Sequence, residues 1–122
     1  MNRKYWLIAV PLLIGAAPQV DTETRKDLRC FLAISSLATN PDPKISMSAL
    51  VGAQYYLGRI DGRVPRLDLE RALLAEAAAF TVPDLQPLLQ SCGKQIQERG
   101  ETVKGIGERM QAPGAHSSSS SS

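Results

Sequence analysis

Apolar positions recur along this chain at steps of three and four in four successive segments, and none alternates with period two for long. That pattern predicts helices and no sheet. The first helix begins near Asp21, where Thr22 or Thr24 can act as N-cap and Asp27 follows Thr24 by three, close to a capping box. Leu28, Phe31, Leu32 and Ser35 share its face, with Cys30, Ile34 and Leu37 beside them. Asn40-Pro41-Asp42-Pro43 stops it, because paired prolines leave few helical options. The second helix is expected from about Lys44 to Leu57, with Met47, Leu50, Val51, Gln54 and Leu57 or Gly58 as its inner face. Gly58 reads as a C-cap, Asp61-Gly62 as a turn, and Pro65 as the end of any helix.

The third helix is expected from about Asp68 to Phe80. Leu69, Leu73, Ala77 and Phe80 form its stripe, with Leu74 alongside and an alanine-rich second half. Thr81-Val82-Pro83-Asp84 restarts the chain, with proline near the first turn of the next helix. In the fourth and longest segment Leu85, Leu89, Cys92, Ile96, Arg99, Val103, Ile106 and Met110 alternate steps of four and three, close to a heptad. Glycines at 93, 100, 105 and 107 weaken it and predict a break near Gly100. The stripe packs within the chain or, over Glu101 to Met110, forms a homodimer seam.

The two ends are of different character. Arg3 and Lys4 precede an uncharged, mostly apolar run from Trp6 to Ala17, too short to span a bilayer and interrupted by Pro11. Residues 1–17 therefore read as a signal peptide, which places the protein in the periplasm or outside the cell. Residues 111–122 read as a disordered, serine-rich tail with too little apolar surface to order. Between them, residues 21–110 form the helical domain.

Export changes two further points. The full chain has 14 basic and 12 acidic residues and a net charge of +2. Losing Arg3 and Lys4 balances it, which removes any basic footprint for nucleic acid or anionic membrane, and no stable membrane insertion is expected after cleavage. Cys30 and Cys92 are the only cysteines, and two cysteines in an exported chain most often pair. Free or intermolecular thiols are the alternative, and a redox pair is disfavoured by their wide spacing. The expected fold is all-α, a small four-helix bundle clasped by one disulfide between its first and last helices.

The chemistry available is narrow. The single histidine, His116, lies in the tail, so no Ser-His-Asp or Cys-His arrangement can form in the domain. There is no thiolate cluster for a metal, no haem attachment sequence and no phosphate loop. No catalytic residue, metal or cofactor is expected. A hydrolase built on two carboxylates brought together by the fold remains the weakest alternative.

One segment is locally dense. Tyr55 to Arg66 holds Tyr55, Tyr56, Arg59, Arg63 and Arg66, the residue types enriched at interaction hot spots, and these five are the candidate partner-binding residues. The competing reading puts one tyrosine in the core and has Asp61 or Asp68 neutralise arginines around a turn. The stretch Tyr55-Tyr56-x-Gly58-Arg59-x-Asp61-Gly62-Arg63, between distant cysteines and behind a signal, resembles uncharacterised small exported proteins of alphaproteobacteria. The resemblance covers roughly residues 25–110 and implies export and a small helical domain, with no activity attached. In layout alone the chain is similar to periplasmic acid-stress chaperones of the HdeA type. The expected function is non-catalytic: binding of an envelope protein or another envelope component. An acid- or envelope-stress holdase is the alternative.

Overall fold

A computed structural model describes residues 19–114; the signal-like run to Ala17 and the serine run from Ser117 lie outside the described residues. Among the described residues there are four helices and no strand: α1 (Thr22–Ser35), α2 (Pro43–Arg63), α3 (Leu69–Ala79) and α4 (Val82–Gln111). The all-α fold and the disulfide clasp follow the sequence expectation. Cys30 of α1 is bonded to Cys92 of α4, with their Cα atoms 5.5 Å apart.

Each helix starts at a side chain able to accept from the open backbone N–H groups of a first turn. Asp21, rather than Thr22 or Thr24, caps α1, accepting from the Thr24 N–H at 2.9 Å. These hydrogen bonds hold the Asp21 carboxyl below its ordinary range. Asp42 caps α2 through the Lys44 N–H at 2.9 Å, with Pro43 as the first helical residue. Asp68 caps α3 through the Arg71 N–H at 3.1 Å. At the start of α4 the Asp84 carboxylate accepts from the Thr81 N–H and side chain, which lowers its pKa.

Two predicted interruptions do not occur. α2 runs through Gly58 and Asp61-Gly62 to Arg63, and ends where Val64 donates to the Ile60 carbonyl before Pro65. α4 runs through Gly100 without a break. No described glycine has positive φ, so neither Gly58 nor Gly62 serves as a left-handed cap. In α2 tertiary contacts outweigh glycine's weak helix propensity, because the added turns bring Ile60 into the core and Arg63 to α1. A Cβ at Gly58 or Gly62 would meet nothing within 4 Å. Gly58→Ala and Gly62→Ala should therefore each stabilise the protein by about 0.5–1 kcal/mol. A thermal melt checks this, and a lowered midpoint for either variant would restore the turn reading.

α1 is the hub. It packs against α2, α3 and α4, whereas α2 and α4 touch only briefly and α3 and α4 do not pack on each other. One core cluster joins Cys30 and Ile34 of α1 to Ala49, Ala53 and Tyr56 of α2 and to Cys92. A second joins Leu28, Ile60 and Ala72.

The inner face of α2 differs from the predicted one. Ala49, Gly52, Ala53, Tyr56 and Ile60 are buried, while Met47, Leu50 and Val51 are 63%, 50% and 64% exposed. Close approach is the reason. A Cβ on Gly52 would lie 2.6 Å from Ile96 Cδ1 and 3.2 Å from Ile34 Cγ2, so small residues set the spacing between helices. In α3 the buried residues are Ala72 and Glu76, with Leu69, Leu73 and Phe80 half-buried, Ala77 exposed and Leu74 65% exposed. In α4 the predicted stripe is split. Leu85, Leu89, Cys92 and Ile96 are covered at least in part, but Val103, Ile106 and Met110 are 67%, 44% and 61% exposed.

Candidate functional site

The ionisable side chains of the body are organised around two carboxylates. Asp27 of α1, with a side chain only 4% exposed, accepts from Arg59 Nε at 3.1 and 3.0 Å and from Arg63 Nη1 at 2.8 Å. The bond to Asp27 raises the Arg59 pKa, and Tyr55 assists by accepting from Arg59 Nη1 at 3.3 Å. The Arg59 guanidinium also lies 5.7 Å from the centre of the Tyr55 ring. Arg63 reaches the buried Thr24 hydroxyl as well, at 3.4 Å. Glu76 of α3 is held in the same manner by Arg25 Nε at 2.9 Å and Arg29 Nε at 3.0 Å, both from α1.

Each clamp is one carboxylate against two arginines four residues apart on another helix. Two like charges at that spacing destabilise a lone helix. In the fold a carboxylate lies between the paired arginines at 25 and 29 and between those at 59 and 63, offsetting that repulsion. That spacing was the one sequence signal for Asp27 and Glu76, which sequence reasoning missed.

The five candidate residues are thus dispersed in role. Arg59 and Arg63 join α2 to α1, and Tyr55 stacks against Arg59. Their partner is Asp27, whereas Asp68 caps α3 and Asp61 is exposed. Tyr56 is fully buried, its hydroxyl 2.9 Å from the Cys92 carbonyl and 2.8 Å from Gln95 Oε1. Burial, first of all, pushes its phenol up to about 12. Arg66 lies exposed between α2 and α3, outside this cluster. Each clamp engages its carboxylate with two guanidiniums from a neighbouring helix, the geometry of a helix-pairing contact. Among the described residues no three His, Cys, Asp or Glu side chains gather as a metal site.

What the body leaves open is apolar. A groove of about 360 Å³ lies where α1, the start of α2 and the middle of α4 meet, walled by Ile34, Leu37, Ile45, Ala49 and Ile96. Gly93 opens its α4 side, and Lys44 and Ser48 stand at its edge. A second groove of about 310 Å³ lies between α1 and α3, walled by Leu32, Leu69, Leu73, Leu74 and Ala77, with Glu70 at its edge. The third apolar feature is the distal half of α4. From Gln97 to Gln111 every side-chain-bearing residue is exposed, and at 1.5 Å per residue this half extends over roughly 20 Å. No helix among the described residues is long and apolar enough to cross a membrane. Compared with known protein families, curated proteins and solved structures, the chain matches none.

Proposed function

We propose that this is a small exported protein of the cell envelope that acts by binding rather than by catalysis. The observation that supports this most directly is a division of labour between side chains. The buried carboxylates and four of the arginines are consumed in pairing helices, while apolar side chains stand outward along α4 and in two grooves. The disulfide fits an oxidising compartment. Val103, Ile106 and Met110 form the contact face, and a second copy of the chain through α4 is its simplest partner.

The test has two arms. Protein recovered from the periplasm should have lost a segment ending near residue 17 and two hydrogens relative to the reduced chain. A photo-crosslinking residue at Val103 or Ile106 should then give discrete adducts in the living envelope, with twice the chain mass identifying self-association. The same residue at Asp61, exposed on α2 and outside both grooves, should give none. Absence of adducts at 103 and 106 removes this reading.

A second reading, an acid-activated holdase, is favoured by the Asp27 and Glu76 clamps. Neutralising both carboxylates in acid would leave Arg59 and Arg63 on α2, and Arg25 and Arg29 on α1, one turn apart without a counter-charge, while the bridge keeps α4 on α1. Suppression of client aggregation at about pH 3 but not near pH 7 supports it, and no suppression at low pH removes it.

A further inference from the structure

The two apolar grooves are close in size and opposite in the charge at their edges. The α1–α2–α4 groove has Lys44 as its one ionisable lining residue, and the α1–α3 groove has Glu70. Lys44 and Ser48 lie one turn apart on α2, so both face the same rim. Among the described residues neither the Lys44 ammonium nor the Ser48 hydroxyl has a polar partner; the nearby Asp42 carboxylate is engaged by the Lys44 backbone N–H. An ammonium donates three hydrogen bonds and a hydroxyl one, and together they suit a carboxylate placed at the mouth. The walls behind them offer hydrocarbon: Ile34, Leu37, Ile45, Ala49 and Ile96. A mostly apolar cleft with a few convergent polar groups is the usual form of a small-molecule site, and about 360 Å³ falls within the usual range for one. That volume equals about a dozen water-sized units, the scale of a medium-length acyl chain.

We propose that the groove between α1, α2 and α4 binds a free medium-chain fatty acid, with its carboxylate on Lys44 and Ser48 and its chain along Ile34, Ala49 and Ile96. The occupant's charge is what separates this groove from the one beside Glu70. Gly93 is the position at which the site can be closed without harming the fold. A Cβ there meets nothing within 4 Å and its φ is not positive, so a side chain is free to enter the groove. A leucine also favours helix over glycine.

This inference rests on the binding reading above and names the ligand class. Titration calorimetry of the oxidised chain with dodecanoate below its micelle concentration tests it, with circular dichroism confirming unchanged helicity in each variant. One saturable site is expected. Lys44→Gln should weaken it about fivefold, and Gly93→Leu about tenfold or more. Glu70→Gln in the other groove should leave it unchanged, and dodecylammonium should bind more weakly than dodecanoate. The proposal is overturned by absence of saturable heat, by full affinity in Gly93→Leu, or by dodecylammonium binding as tightly. Association with phosphatidylglycerol vesicles but not with free dodecanoate overturns it too. If dodecanoate fails while Val103 still cross-links, the fatty-acid site falls and the binding function stands.

Discussion

Removing the Cys30–Cys92 bridge by the double substitution Cys30→Ser, Cys92→Ser should lower unfolding stability by about 4 kcal/mol. The bond joins residues 62 apart in sequence, and closing a loop of that length restricts the unfolded chain by about that amount in the chain-entropy model. Folded domains of this size are typically stable by only about 5–15 kcal/mol, so a large share of the net stability is at stake. The native state adds a local reason. Cys92 is the only buried residue of α4, and the helix is otherwise held by half-buried leucines, Ile96 and the Tyr56 hydroxyl. Without the bridge α4 should open first. Urea denaturation checks the total, and hydrogen exchange checks the order, with amides of α4 losing protection ahead of those in α1 and α2. A loss under about 1 kcal/mol would mean that side-chain packing alone keeps α4 in place.

Asp27→Ala should cost about 2–4 kcal/mol. Removing one partner of a buried ion pair typically costs about 3–5 kcal/mol because the other charge is left uncompensated. Here Arg59 and Arg63 keep side chains 36% and 30% exposed, and water reduces the penalty towards the lower end. Arg59→Ala or Arg63→Ala alone should cost less, about 1 kcal/mol, because Asp27 keeps one guanidinium in each case. Chemical denaturation of the three variants gives the comparison, and a loss in Asp27→Ala no larger than in either arginine variant would refute the clamp. The neutral analogue Asp27→Asn, combined with Glu76→Gln, mimics protonation of both carboxylates near pH 7. If acid opens a holdase through these clamps, that double variant should suppress client aggregation without acid.

The helix starts were legible because capping is local chemistry. Asp42 before Pro43, Asp68 before an apolar stripe and Thr81-Val82-Pro83-Asp84 each mark a first turn from within four residues of it. Even the misplaced cap at α1 was off by one to three residues, since Asp21, Thr22 and Thr24 all offer an oxygen acceptor. The glycine positions misled for the opposite reason. Gly58 and Gly62 have weak local preference for helix, and contacts distant in sequence carry α2 through them, whereas at Gly100 the helix continues through an exposed half of α4 without such contacts.

By itself the sequence determined four helices and their order, because periodicity and proline admit few alternatives, and it made a Cys30–Cys92 bridge the expected pairing while leaving free or intermolecular thiols open. Tertiary structure decided which side of each helix turns inward. In α2 the large apolar stripe of Met47, Leu50 and Val51 and the small stripe of Ala49, Gly52 and Ala53 are both helical in spacing. Hydrophobicity favours burying the first, but only the second lets α1, α2 and α4 approach closely enough for Tyr56 to fill the space between them. The same holds for charge. Arg59 and Arg63 have acidic neighbours along the chain in Asp61 and Asp68, yet their partner is Asp27, more than 30 residues away. Only the crossing of α1 over α2 sets a carboxylate between two arginines one turn apart, and that crossing follows from helix surface shape, which no local pattern encodes.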